Sequence, residues 1–151
     1  MPESRPSLPP LKLIGHVHRG FQRMADQLLR DQGFALSQLP VLMALKDGRP
    51  RSQAELARLA NVEQPSMAQL LNRMERDGLV ERLPDPEDGR SRLISLTAAC
   101  VERMPKAKGV MQALGTEALQ GFSAEDVEAL ADLLARLADN VDHMVEKHLG
   151  P

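Results

Sequence analysis

Aromatic residues and cysteine are scarce in this sequence. Trp and Tyr are absent and only three Phe occur, so any ligand pocket must be lined mainly by Leu, Met and Val. The single cysteine, Cys100, cannot form a disulfide within the chain, which agrees with a reducing compartment. No apolar run is long enough to span a bilayer. The residues after Met1 also lack the apolar core of a signal peptide, so we expect the protein to stay in the cytoplasm.

The chain also lacks an excess of positive charge. It has 19 Lys and Arg against 21 Asp and Glu. Between Arg49 and Arg92 basic and acidic residues are equal in number, although a basic surplus there would have supported nucleic-acid binding. The acids are in surplus after Thr116, which suggests that this end faces away from DNA. A nucleic-acid function must therefore be argued from geometry and not from bulk charge.

Signatures of catalysis and of metal binding are missing as well. Asp85, Glu87 and Asp88 lie in a turn without a partnering base, and there is no glycine-rich phosphate loop, so we do not expect an enzyme. Cys100 has no neighbouring base that would lower its pKa, and we interpret it as a small buried hydrophobe. The histidines are not at the spacing of metal ligands, so we expect no metal or other cofactor: His16, His18, His143 and His148.

The segment from Arg51 to Thr97 predicts a helix-turn-helix followed by a β-hairpin. Ser52 and Glu55 have the spacing of a capping box at a helix start. Asn61 tolerates the left-handed conformation of a sharp turn, and Pro65 suits the first turn of the next helix.

The second helix of this motif separates apolar from polar side chains. Its apolar positions recur three and four residues apart: Met67, Leu70, Leu71 and Met74. Another side carries a polar stripe: Ser66, Gln69, Arg73 and Arg76. After Gly78, the run 79–83 predicts a strand, 84–89 is rich in turn residues, and 92–96 predicts the return strand. The motif is therefore a winged helix-turn-helix.

This segment resembles the MarR family of bacterial transcriptional regulators. The resemblance is carried in order by 55–57 (Glu-Leu-Ala), 78–82 (Gly-Leu-Val-Glu-Arg), Asp85 to Arg90, and Leu96-Thr97. It implies a sequence-specific DNA-binding regulator, usually a repressor, that acts as a homodimer on a pseudo-palindromic operator and is often released by a small ligand or an oxidant. Two departures are Gly89, where the family often has an arginine, and 98–100, which replaces a polar, glycine-containing helix start.

The expected DNA contacts fall on the second helix and on the wing. Residues at the front of a recognition helix reach base edges, which applies to Gln64, Ser66 and Gln69, whereas Arg73 is placed to hold a phosphate. In the family the arginine matching Arg90 enters the minor groove and is steadied by the residue matching Asp88, and we expect Arg92 to touch the backbone. Weaker candidates for contacts with the DNA backbone are Ser52, Gln53 and Asn72.

The helices that flank the winged unit predict a dimer. We expect a mostly α fold with a small β wing, divided into a flexible arm (1–10), a helical dimerisation region (11–33 and 98–151) and a DNA-binding region (34–97). The first helix should end near Gly33. Ser37 should cap the second helix, which places Pro40 in the first turn of that helix. The apolar stripes of the first and last helices are the expected dimer contacts: Leu11, Ile14, Val17, Phe21, Val127, Leu130, Leu134, Leu137, Val141 and Met144.

Two questions stay open at this level. A pocket lined by Leu, Met and Val with an Arg or His at its mouth fits a small aromatic acid or a phenol as effector only loosely. A winged helix can also serve as a protein-interaction module without its own operator, and the balanced charge agrees with that alternative. The polar stripe of the second helix and Arg90 favour DNA, because protein-binding faces are enriched in aromatic and apolar anchors.

Overall fold

The computed structural model describes residues 9–150, and most of the predicted flexible arm lies outside them. The order of the elements is α1 (Pro10–Arg30), a 3-10 turn (Leu36–Gln38), α2 (Leu39–Leu45), β1 (Arg51–Ser52), α3 (Gln53–Ala60), α4 (Gln64–Arg76), β2 (Val80–Pro84), β3 (Arg92–Leu96), α5 (Ala98–Ala118) and α6 (Ala124–Leu149). The prediction of a mostly α fold with a winged helix-turn-helix is confirmed.

The sheet is small and antiparallel. Its three strands have the order β1-β3-β2, and β3 pairs with β2 over the whole hairpin, from Val80 opposite Leu96 to Pro84 opposite Arg92. Strand β1 adds only two pairs, Arg51 with Ile94 and Ser52 with Leu93. The start of the helix-turn-helix is thereby attached to the hairpin that follows it.

The hydrophobic core joins the helix-turn-helix to the helices on either side of it. Side chains at or below 2% exposure come from five helices, the two hairpin strands and the turn before β2: Ala25, Leu29, Val41, Leu42, Leu45, Leu56, Met67, Leu71, Met74, Leu79, Val80, Ile94 and Cys100. Leu, Met and Val dominate this core, as the shortage of aromatic residues requires, and Phe34 is its aromatic member among the described residues. The hairpin base and α4 are therefore held by burial, which contributes about 25 cal/mol per Å² of apolar surface.

Most helix boundaries follow local signals in the sequence. Ser123 and Asp126 cap α6 reciprocally, with the Ser123 hydroxyl accepting from the Asp126 amide at 3.1 Å and the carboxylate accepting from the Ser123 amide at 2.9 Å. Gly33 follows α1 with φ +78°, a conformation that costs little only for a residue without Cβ.

The predicted cap at Ser37 is wrong. Ser37 lies inside the 3-10 turn, and α2 begins at Leu39 with Pro40 in its first turn, as expected. The amide of Ala35 donates instead to the side-chain oxygen of Gln38 at 2.8 Å. The longer Gln side chain reaches back three residues and organises the turn before the helix.

The described residues fall into two compact units, one ending at Gln112 and the other beginning at Ala113. The first contains the core and the winged helix-turn-helix, and the second consists of the end of α5 and the whole of α6. No residue of α6 is buried in the single chain. Within residues 9–150, no helix combines the length and hydropathy of a membrane span. The predicted division into DNA-binding and dimerisation regions concerns what these parts do, and it stays a prediction.

Candidate nucleic-acid interface

Helix α4 has one buried and one exposed side. Met67, Leu71 and Met74 are all at 0% exposure and fix the helix to the core. The polar candidates are exposed on its other sides: Gln64, Ser66, Gln69, Asn72, Arg73 and Arg76. The sequence predicted this sorting, which turns the side chains that can bond base edges or phosphates to solvent.

The front of α4 is placed by the turn from α3. Asn61 has φ 52° and ψ 47°, the predicted left-handed conformation. Pro65 lies in the first turn of α4, where its missing N–H breaks no helical hydrogen bond. The side-chain NH₂ group of Gln53 donates to the Gln64 side-chain oxygen at 3.3 Å. This bond brings Gln53, one of the weaker candidates for contact with the DNA backbone, next to Gln64, the first residue of α4.

The start of α3 differs in one respect from the predicted capping box. The Ser52 hydroxyl accepts from the Glu55 amide at 3.1 Å, as expected. The Glu55 carboxylate, however, accepts from Arg51 at 2.5 Å and does not return to the Ser52 amide. A guanidinium outcompetes a neutral amide for a carboxylate because the bond is charge-assisted on both sides.

Arg51 connects the end of α2 to β1, the strand that precedes α3. Its Nε donates to the Ala44 carbonyl at 2.8 Å and its Nη2 to Asp47 at 3.1 Å. The pKa of Asp47 is lowered, first by the hydrogen bond from the Arg49 amide and then by the charges of Arg51 and Arg49. Arg51 is therefore committed to structure and is not available to DNA.

The wing tip is shaped by two carboxylates that accept from backbone amides. Asp85 accepts from the Glu87 amide at 2.9 Å, and Asp88 accepts from the Arg90 amide at 3.0 Å. Asp88 thus steadies the backbone of Arg90. Within residues 9–150 no ion pair holds the guanidinium of Arg90 or of Arg92, and both side chains are exposed. The wing therefore presents two unpaired cations to solvent.

Arg82 is a functional candidate that the sequence analysis did not single out. It lies in β2, and its guanidinium contacts two residues of α4: Nη2 donates to the Asn72 oxygen at 2.8 Å, and Nη1 forms an ion pair with Glu75. The alternation of side chains between the two faces of β2 indicated this contact, because Arg82 is two residues after the buried Val80 and shares its face. Asn72 consequently has its oxygen occupied, while its NH₂ group is free to donate.

A groove of about 1000 Å³ lies between α2, the end of β3 and α5, within the first unit. Its walls are mainly apolar and include Met43, Leu96, Val101 and Met104. Lys108 adds a positive charge to the lining. Such a groove has the size and character of a small-molecule site.

Cys100 is fully buried, as predicted. Burial raises the pKa of its thiol, and the nearby charge of Arg103 offsets this only in part. The Cys100 amide donates to the Thr97 hydroxyl at 3.1 Å at the start of α5. In the part of the chain that the structure describes, no group of three His, Cys, Asp or Glu side chains could hold a metal ion.

Sequence and structure comparisons agree with this geometry. The MarR family profile matches residues 32–91. A mutant of E. coli MarR complexed with operator DNA is similar with a TM-score of 0.74 and 26% identity, over 86% of this chain and 94% of that one. The reduced form of E. coli MarR has a TM-score of 0.70 and 28% identity, over 88% and 98% of the two chains.

A probable transcriptional regulator from Pseudomonas aeruginosa is similar as well, with a TM-score of 0.66 and 28% identity over 82% of this chain and 96% of that one. The matched region 32–91 contains α3, α4 and most of the wing hairpin. Residues 32–91 are therefore similar to the MarR family of winged-helix transcription regulators, and the fold of the chain is similar to that of E. coli MarR.

Proposed function

We propose that the protein is a homodimeric repressor that binds a pseudo-palindromic operator and is released by a small molecule. The observation that carries this proposal is the exposed polar side of α4, opposite its buried side, in a fold similar to that of a MarR protein complexed with operator DNA. Gln64, Ser66 and Gln69 would contact base edges, and Arg73 a phosphate. Arg90 would enter the minor groove, where a narrow groove concentrates negative potential.

The balanced charge of the segment does not oppose this proposal. Arg51 and Arg82 are engaged by Asp47, Glu55 and Glu75. The carboxylates of Asp85 and Asp88 accept amide hydrogens at the wing tip. The arginines that the proposal uses have no acidic partner within residues 9–150: Arg73, Arg90 and Arg92.

A titration on the protein's own upstream DNA tests the function. We expect it to bind a duplex from the region upstream of its gene more tightly than an unrelated duplex of equal length. The affinity should fall by orders of magnitude between about 50 and 200 mM salt as counterions are released. Addition of the protein should also lower transcription from that promoter. Equal affinity for both duplexes, or no binding at low salt, would favour the protein-interaction alternative.

The dimer is proposed from apolar helix faces that the single chain leaves exposed. On α1, Leu11 and Val17 are 67% and 63% exposed. On α6, Leu134 and Val141 are 42% and 44% exposed. Pairing with a second copy would bury such faces, and two-fold symmetry would set two recognition helices on the order of 34 Å apart, one turn of DNA.

We place the effector in the groove between α2, β3 and α5. Its apolar walls suit the ring of a small aromatic acid or phenol, and Lys108 suits a carboxylate. Leu96 belongs to the wing strand β3 and also lines the groove. A molecule in the groove would therefore touch an element of the wing, which gives it differential contacts with the DNA-competent and released states.

Val101→Trp tests this placement. Val101 lines the groove and is 54% exposed, so a larger side chain there should fill the groove without disturbing the core. We expect hydroxybenzoate to release the operator from the wild type and from Val101→Ala, but not from Val101→Trp, with DNA binding in its absence similar for all three. Release of Val101→Trp at the wild-type concentration would place the effector elsewhere.

A further inference from the structure

Arg82 connects the wing to the recognition helix. Its guanidinium contacts Asn72 through Nη2 at 2.8 Å and Glu75 through Nη1. These two partners are three residues apart on α4, so they are neighbours on one face of the helix. The planar fork of an arginine can hold two acceptors at once in a fixed geometry, which a lysine cannot do. The contact therefore fixes both the distance and the angle between β2 and α4.

The contact of Arg82 lies at the outer limit of the buried part of the wing. On β2, Val80 is buried, whereas Glu81 is exposed and Arg82 and Leu83 are half-buried. On β3, Ile94 is directly opposite Arg82 and is 2% exposed. Burial thus fixes the hairpin as far as this pair, and the polar contact of Arg82 adds a link to α4 at the same level.

Between α4 and β2 the chain turns at Gly78, whose φ is +72°, and the Gly78 and Leu79 amides donate to the Glu75 and Met74 carbonyls at 3.0 and 2.8 Å. The contact of Arg82 is therefore a second link between α4 and β2, beside this turn.

We infer that Arg82 is a positioning residue for operator binding, which holds the wing at the angle where Arg90 and α4 can reach adjacent grooves together. The inference rests on the proposed function. When two contacts belong to one rigid body, the second forms without a further loss of orientational freedom. Arg82 also turns the Asn72 oxygen toward the protein, which leaves the Asn72 NH₂ group to donate to a phosphate.

The contribution of Arg82 should be visible in binding and not in folding. Its side chain is 28% exposed and that of Glu75 is 42% exposed, and exposed ion pairs contribute little to stability. Loss of the contact should therefore leave the melting temperature nearly unchanged. It should instead let the wing sample angles at which Arg90 misses the groove.

A double-mutant cycle on operator affinity separates positioning from direct contact. Arg90→Ala should weaken binding about tenfold or more and lower the salt slope by about one unit for each subunit. Arg82→Met should weaken binding by a comparable factor. In the double variant the two losses should not multiply, because Arg82 acts through Arg90. Arg136→Met in α6 removes one positive charge outside the winged helix-turn-helix and is the matched control, which should bind like the wild type.

Each other outcome overturns the inference in a recognisable way. Losses that multiply would show that Arg82 acts independently of the wing tip. A salt slope lower for the double variant than for Arg90→Ala alone, again by about one unit for each subunit, would show that Arg82 itself holds a phosphate. If Arg90→Ala binds like the wild type, the wing does not enter the groove and has no need of positioning. DNA recognition by α4 would survive that last result. Failure of the inference about Arg82 can therefore be distinguished from failure of the proposed function.

Asn72→Asp provides a second variant that keeps the connection. The aspartate still accepts from Arg82 but has no NH₂ group to donate, so operator affinity should fall. Arg90→Ala should weaken operator binding in this variant by the same factor as in the wild type. If Arg90→Ala caused no further loss of operator affinity in the Asn72→Asp variant, an acceptor at position 72 would not be what keeps the connection between α4 and β2.

Discussion

Replacing Leu134 and Val141 by Asp is expected to turn the proposed dimer into monomers and to remove most of the operator affinity. Both side chains are on α6, where they are 42% and 44% exposed. Carboxylates at these positions would have to be desolvated within the proposed dimer interface, which costs several kcal/mol. A monomer retains one recognition helix, and losing the second half-site removes the gain from simultaneous binding.

The core should survive this change, because no residue of α6 is buried in the single chain. Circular dichroism should therefore show a folded protein while sedimentation shows a monomer. A matched control places two carboxylates on the polar side of the same helix, at Asn140 and His143, and this variant should remain a dimer that binds DNA. A folded Leu134→Asp/Val141→Asp dimer with full operator affinity would mean that the interface lies elsewhere.

Two substitutions on α4 should separate reading of bases from holding of the backbone. Gln69→Ala is expected to lose about 1–3 kcal/mol of discrimination at one base position in each half-site, because a bidentate contact with adenine is removed. Arg73→Ala should weaken all duplexes alike and lower the salt slope. Since each dimer carries two copies, both effects should appear twice.

The measurement is a set of titrations on operators that carry single base changes. Gln69 and Arg73 are both exposed and Leu71, between them, is fully buried, so neither substitution should disturb the core. If Gln69→Ala discriminated among the operators as the wild type does, Gln69 would not contribute to base readout.

Local signals in the sequence were enough to predict the path of the helix-turn-helix. Ser52 caps α3 and Asn61 adopts the left-handed conformation, because each depends on residues a few positions away. The burial of Met67, Leu71 and Met74 followed from helical periodicity alone. These features are short-range, and the chain around them specifies them without help from the rest of the fold.

Features that depend on distant partners were missed or only partly predicted. The Glu55 carboxylate bonds to Arg51 in place of the Ser52 amide, a choice decided by competition between a charged and a neutral donor. The contact of Arg82 with α4 requires the wing to be docked, which spacing along the chain does not reveal.

Selection of binding sites by the wild-type protein from a library of random duplexes measures base specificity and half-site spacing in one experiment. We expect a pseudo-palindromic motif whose two half-sites are separated, centre to centre, by about 10 base pairs or a small multiple of that turn. Enrichment of a single unrepeated half-site, or no enrichment over the starting library, would contradict a dimeric, sequence-specific reader built on α4.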